Sequence, residues 1–169
     1  MIDGGRADFA ESSSFFQKIQ STSLHFTNSI TYAPYTNAAM HAVFSGTYGN
    51  RTKTNSYWST FSFDKKNFKT ITEYLSDNDY YTCADVVSDL IIPRQGFNEF
   101  LIHDEENDDL SYKHCNLLEL MKNKNERGTN FFLYLHYSKI HVEIKNEVLK
   151  IFDNFSKEYF ENKKKNWNR

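Results

Sequence analysis

The sequence predicts an α/β fold, a mostly parallel sheet with helices on both faces (an α/β/α sandwich). Strand-like and helix-like segments alternate along the chain, as they do in such folds. Residues 131–136 form an unbroken apolar run, which is typical of a central parallel strand. The 169 residues include 15 Phe and 11 Tyr, enough apolar surface for one sizeable core. We therefore expect residues 1–169 to form a single α/β domain.

The first part of the chain is predicted to alternate short strands and helices. Residues 1–2 read as the last step of a buried strand that a glycine turn ends. Serines at 12–14 can cap a helix that runs to about residue 20. Residues 24–32 are rich in β-branched and aromatic side chains and predict a strand. Thr36 then stands at an N-cap position, before a helix that Gly46 closes.

The remaining chain predicts a polar loop followed by alternating helices and strands. A helix begins at Thr70, because Glu73 follows it in capping-box spacing. Residues 103–109 are an acidic loop with two interpretations, a cation site or a solvated run. The other elements are an irregular loop at 47–66, a strand at 80–87, an extended piece at 97–102, a helix from 110 to about 122, a strand at 131–136 and a helix from 147 to about 165.

Composition excludes several classes of function. The net charge of −2 gives no basic field for nucleic acid. No apolar run approaches the roughly 20 residues of a membrane span. Charged residues interrupt the start of the chain, so no signal peptide is predicted and a cytoplasmic location is the default expectation. The two cysteines, Cys83 and Cys115, form no recognisable disulfide or metal-binding pattern.

The start of the helix at Thr36 is the first candidate for chemistry. A threonine there can simply cap the helix. The same turn also offers N–H donors and a positive dipole end to an anion, beside a hydroxyl that can act as a nucleophile. In a parallel sheet, Asp3, the Thr36 turn, His136 and His141 would all lie at the carboxyl edge, where α/β folds bind ligands.

Six short segments, taken in order, form a pattern that runs nearly from end to end of the chain. Each piece alone has low specificity, whereas the order of all six is specific. The segments are Asp-Gly-Gly-Arg-Ala-Asp at 3–8, Leu-His-Phe-Thr-Asn at 24–28, the stretch from Ala-Pro-Tyr-Thr to Ser-Gly-Thr-Tyr at 33–48, Thr-Ile-Thr-Glu-Tyr-Leu at 70–75, Gly-Phe-Asn-Glu-Phe at 96–100, and the strand with two histidines five apart at 131–141. Together they resemble the alkaline phosphatase/sulfatase superfamily.

The resemblance implies a metal-dependent hydrolase or transferase that acts on small-molecule or polymer esters of phosphate or sulfate. Asp3 and Thr36 would bind a divalent metal (Zn, Mn, Ca or Mg), and Thr36 would be the nucleophile. Asn37 and His136 would bind the substrate, with backbone N–H groups of the same turn holding developing charge. His141 would steady or protonate the leaving group.

The chain also departs from the superfamily pattern. Sulfatases place a Cys or Ser, oxidised to formylglycine, where this chain has Thr36, so the resemblance is to the phosphodiesterase and phosphotransferase branches. Lys139 stands where the family often has Asp. Family members are several hundred residues long, and their remaining metal ligands lie beyond position 169. Two expectations follow: an enzyme completed by a complementary chain or domain, or a truncated, non-catalytic fragment.

Overall fold

Three parallel strands form the sheet, in the order β2-β1-β3. The structure is a computed structural model, and it describes residues 1–140 except for the side chains at positions 57 and 58. The strands are β1 (Tyr81–Val86), β2 (Glu99–Ile102) and β3 (Phe131–Leu135). In the register, Ala84 of β1 lies opposite Phe100 of β2 and Tyr134 of β3. The predicted α/β class and these three strands are confirmed.

The first three residues extend the sheet beyond β3. Ile2 forms a parallel bridge with Tyr137, and the Asp3 N–H donates to the Tyr137 carbonyl over 2.7 Å. The amino terminus at Met1 donates to the Leu135 carbonyl, also over 2.7 Å. These contacts place Asp3 at the carboxyl edge of the sheet, as the sequence predicts.

Helices cover both faces of the sheet. On one face, Met40 and Phe44 pack against Ala84 and Tyr134. On the other face, Leu117 and Met121 form a second buried cluster with Cys83. Among residues 1–140 the helices are α1 (Ala7–Ser12), α2 (Ser14–Gln20), α3 (Thr36–Ser45), α4 (Gly49–Thr52), α5 (Ile71–Ser76) and α6 (Leu110–Glu126), with a 3₁₀ helix at Tyr57–Ser62.

Most helix boundaries agree with the sequence. The Thr70 hydroxyl accepts from the Glu73 N–H, and the Glu73 carboxylate accepts from the Thr70 N–H, so the predicted capping box is present. Gly46 ends α3 in the left-handed conformation. The predicted N-cap at Thr36 is wrong by one residue, because Tyr35 takes that position and Thr36 is the first helical residue. The Thr36 hydroxyl is therefore not used for capping.

Two predictions about extended and loop regions are corrected. Residues 24–32 form no strand, and the side chains of Leu24, Phe26 and Ile30 are 89%, 77% and 97% exposed. No strand among residues 1–140 pairs with this stretch, and β-propensity has little effect without a partner strand and a buried face. Residues 47–66 contain two short helices rather than only irregular loop. The helix predicted at 147–165 lies outside the described residues.

A search of the described helices for membrane-spanning candidates finds none with sufficient length and apolarity.

The first prediction concerns the packing of α3 on the sheet. Phe44 is 3% exposed and makes ring contacts with Phe97, Phe132 and Tyr134. Phe44→Ala should lower the free energy of unfolding by about 3–5 kcal/mol, because it leaves a cavity in this cluster. Urea unfolding followed by circular dichroism measures the change.

The adjacent Val43 provides a matched control, since it lies on the same helix and is 66% exposed. Val43→Ala should change the free energy of unfolding by no more than about 0.5 kcal/mol. Similar losses in both variants would contradict the observed orientation of α3.

The second prediction compares two glycines with positive φ. Gly96 has φ +78°, and an added Cβ would overlap the backbone of Thr72 and Glu73 at the start of α5. Gly128 has φ +82° and open space around it. Both Ala variants carry the left-handed strain of about 1–2 kcal/mol. Because of the overlap, Gly96→Ala should lose about 1–3 kcal/mol more of its free energy of unfolding than Gly128→Ala loses in the same assay. Equal losses would be inconsistent with the close approach of residue 96 to α5.

Candidate functional site

Two clusters of polar side chains lie at the carboxyl edge of the sheet. They are the Asp3 cluster, formed by Asp3, Thr36 and His136, and the Asp85 cluster, formed by Asp85, His103 and His114. The sequence predicts the residues of the first cluster but not those of the second.

Thr36 and Asp3 are in direct contact although they lie 33 residues apart. The Thr36 hydroxyl is 2.9 Å from each carboxylate oxygen of Asp3, so it donates to the carboxylate symmetrically. Because Thr36 is the first residue of α3, the carboxylate lies close to a helix N-terminus, where negative charge is stabilised. The contact brings an acidic group and a hydroxyl together at the edge where α/β folds bind ligands.

His136 completes the Asp3 cluster from the end of β3. Its side chain is fully buried, and its Nε2 lies 3.6 Å from Asp3 Oδ2. Neither ring nitrogen has a hydrogen-bond partner among the described residues, and the buried hydroxyl of Tyr134 has none either. Burial, together with the charge of Asp3, raises the pKa of Tyr134 and keeps that hydroxyl protonated. Buried polar groups rarely remain without partners, so these atoms are suited to a bound group beside Asp3.

A cleft of about 740 Å³ opens beside this cluster. Asp3, Thr36 and Asn37 contribute to its lining, together with residues 87–88. The Asn37 side chain is buried, and its Oδ1 accepts from the Ala38 N–H over 3.2 Å. That N–H, which the sequence predicts as a donor to developing charge, is therefore engaged within the chain. His141, the predicted leaving-group residue, lies outside the described residues.

The Asn37 carbonyl, in turn, contacts His41 one turn along α3. His41 Nδ1 lies 2.7 Å from this carbonyl oxygen, and the side chain is buried against Phe63. Burial lowers the pKa of His41, so this histidine is uncharged at neutral pH. A neutral ring that donates to Asn37 helps to fix the first turn of α3 behind Thr36.

The Asp85 cluster lies on the opposite face of the sheet, beneath α6. Asp85 is fully buried in β1, and its Oδ2 lies 3.0 Å from His114 Nε2. Its Oδ1 lies 3.1 Å from His103 Nδ1, but outside hydrogen-bond geometry. One ligand atom from each residue lies within 4.8 Å of the other two, so the group could hold a metal ion.

Sequence reasoning missed this cluster because its members come from three separate elements. Asp85 lies within β1, His103 directly follows β2, and His114 is in α6. The available signal was Asp85 itself, since a charged residue inside an apolar strand is rarely buried without a partner. His103 falls in the loop predicted either to bind a cation or to be solvated, and its 4% exposure excludes solvation for this residue.

The segment after β3 contacts both clusters through consecutive residues. His136 faces Asp3, the Tyr137 hydroxyl lies 2.7 Å from His114 Nδ1, and the Ser138 hydroxyl donates to Glu105 over 2.7 Å. Glu105 Oε1 is in turn 3.8 Å from His103 Nε2. The two clusters therefore share one backbone segment as a common support.

No protein-family model matches the chain, and no curated protein matches it as a relative.

The third prediction uses the cysteines to report on burial next to the Asp85 cluster. Cys83 lies two residues before Asp85 and is fully buried, and burial, with smaller effects from Glu99 and Asp85, raises the pKa of its thiol to about 11. Cys115 is exposed on α6. At neutral pH, iodoacetamide should modify Cys115 and leave Cys83 intact, because the thiolate is the nucleophile and must be accessible.

Mass spectrometry of the alkylated peptides measures this selectivity. Cys115→Ser should resist modification until denaturant is added, after which Cys83 should react. Modification of Cys83 in the folded chain at the rate seen for Cys115 would contradict the burial of β1 beneath α6.

Proposed function

We propose that the Asp3 cluster is the centre of a metal-dependent hydrolase or transferase that acts on phosphate or sulfate esters. The observation that carries the proposal is the symmetrical contact between the Thr36 hydroxyl and both oxygens of Asp3, at the N-terminus of α3. The resemblance to the alkaline phosphatase/sulfatase superfamily assigns the same two residues to metal binding and nucleophilic attack.

Asp3 and Thr36 are the residues that would hold the cation. A carboxylate and a hydroxyl supply oxygen ligands, which suit a hard divalent ion that keeps water or ester oxygens as its other ligands. When bound, the cation lowers the pKa of the Thr36 hydroxyl and so favours the alkoxide. His136 supports a bound group at this position, since its Nε2 lies 3.6 Å from the carboxylate and neither ring nitrogen has a hydrogen-bond partner in the described chain.

The chemistry of the chain then has two steps. The Thr36 oxygen attacks phosphorus or sulfur while its proton passes to the Asp3 carboxylate. The bond to the leaving oxygen breaks, and the proton held by Asp3 passes to that oxygen, which departs as the alcohol. Water or an acceptor alcohol next attacks the ester formed on Thr36, which regenerates the hydroxyl and gives hydrolysis or transfer. His136 Nε2 is suited to donate to an ester oxygen, because it lies 3.6 Å from the carboxylate beside which the ester would bind.

The cleft supports substrates that carry an anionic group on a larger body. Its volume of about 740 Å³ is within the usual range for small-molecule sites. Residues 33–36 contribute to its lining, and the positive end of α3, which begins at Thr36, favours an anion bound there. A small-molecule ester and the end of a polymer both fit this description.

The fourth prediction tests the nucleophile. The purified chain, supplied with Zn²⁺ or Mn²⁺, should hydrolyse bis(p-nitrophenyl) phosphate, and Thr36→Ala should lower kcat/KM by at least about a hundredfold. Thr36→Ser should retain part of the activity, because it keeps the hydroxyl. Thr31→Ala is the matched control, since Thr31 lines the same cleft and its hydroxyl donates to the Ala33 carbonyl. Parallel assays with p-nitrophenyl sulfate distinguish the two ester classes.

Two outcomes would overturn this proposal. Metal-dependent turnover that survives in Thr36→Ala would exclude Thr36 as the nucleophile. A folded chain that binds no metal and turns over neither ester would favour the non-catalytic alternative, in which the domain acts as a binding half or a superfamily remnant. Circular dichroism of each variant establishes that the fold is retained.

A further inference from the structure

We infer that the Asp85 cluster is a second metal centre, separate from the Asp3 cluster, that takes a zinc-like divalent ion. The three ligand atoms lie within 4.8 Å of one another, and all three side chains are at least nine-tenths buried. The Asp85 carboxylate lies 3.0 Å from His114 Nε2 and 3.1 Å from His103 Nδ1. These distances are close to those between two ligand atoms that bind one zinc ion, since Zn–N and Zn–O bonds are about 2 Å long.

The unpartnered atoms of this cluster point independently to a missing group. Both ring nitrogens of His103 and the Oδ1 atom of Asp85 are buried without a hydrogen-bond partner among the described residues. Leaving such atoms unpartnered costs free energy, and charged atoms cost more than neutral ones. An ion held between Asp85 Oδ1 and His103 Nδ1 would give both of these atoms a partner.

The donor set selects the class of ion. Two imidazoles and one carboxylate suit Zn²⁺ and its neighbours in the first transition row, whereas Mg²⁺ and Ca²⁺ prefer oxygen ligands. Three protein ligands leave one position for water. Asp85 and the two neutral histidines would carry one negative charge, which partly balances a divalent cation.

His114 has the outer contact that orients metal-binding histidines, and a carboxylate lies near the second ring nitrogen of His103. Such histidines usually engage their second ring nitrogen with a polar group. His114 uses Nε2 toward Asp85 and has the Tyr137 hydroxyl 2.7 Å from Nδ1. His103 has Nδ1 toward Asp85 and Nε2 3.8 Å from Glu105, which Ser138 holds through both its N–H and its hydroxyl.

The alternative is a purely ionic network in which Asp85 pairs with side chains of the chain alone and no metal ion is bound. Lys113 belongs to that network, since its Nζ lies 3.8 Å from Asp85 Oδ1 and 3.2 Å from Asp108. The Lys113 side chain is 31% exposed, so it also marks the side from which an ion can enter. Metal binding would displace this ammonium group toward Asp108. The two explanations therefore predict different effects of removing Lys113 on the affinity for zinc.

The experiment, our fifth prediction, measures zinc bound by the intact chain after equilibrium dialysis, with Co²⁺ absorption as a report on nitrogen ligands. The wild-type chain should bind Zn²⁺ with a rise in Tm. His103→Gln and His114→Gln should each bind one equivalent of zinc less than the wild type and lose the associated Co²⁺ absorption. Asp3→Asn should keep both the zinc at the Asp85 cluster and this absorption. Tyr137→Phe should retain the site with about 10–100-fold weaker affinity. Glu119→Gln, at an exposed position on α6, is the surface control.

Lys113→Met separates the metal centre from the ionic network. It should bind Zn²⁺ more tightly than the wild type, because a competing cation is removed. A loss of stability without any gain in zinc affinity would support the ionic network instead. The assignment is also overturned if the folded wild-type chain takes up no zinc, or if both histidine variants bind it as the wild type does. Circular dichroism of the metal-free variants separates loss of the site from loss of the fold.

Discussion

The burial of one carboxylate inside the central strand constrains much of this structure. β1 is hydrogen-bonded to a parallel strand on each side and is covered by helices on both faces, so Thr82 to Val86 are all buried. An ionised group in that environment costs several kcal/mol unless partners compensate it. Asp85 therefore requires His103 and His114 to approach it, and this requirement links the end of β2 and the first turns of α6 to the central strand.

The same constraint reaches the other cluster through the segment that follows β3. Neighbouring residues along extended backbone point to opposite faces of a sheet, so His136 faces Asp3 while Tyr137 faces His114. The backbone of this segment also pairs with Met1 and Asp3. An ordering of Tyr137 by the Asp85 cluster would accordingly help to position His136 in the Asp3 cluster, although the two clusters lie on different faces.

The strand β3 and the helix α5 were predictable because each has a strong local signal. The apolar run at 131–136 and the capping box at Thr70 specify their own structures almost independently of context. Residues 24–32 had equally good β-propensity and form no strand, because a strand depends on a neighbour that the local sequence does not encode. The exposure of Leu24 and Ile30 in the described chain is the physical result.

The sequence by itself determined the α/β class, the three strands, and the hypothesis that Asp3 and Thr36 act together. That hypothesis was accessible because short motifs and the parallel-sheet rule both direct these residues to one edge. Only the tertiary structure decided that Asp85, His103 and His114 converge, since no spacing along the chain relates a mid-strand carboxylate to a strand end and a helix. The packing of β1, β2 and α6 places their ligand atoms within 4.8 Å of one another. These contacts offset the free-energy cost of burying a carboxylate, and they depend on the fold rather than on sequence spacing.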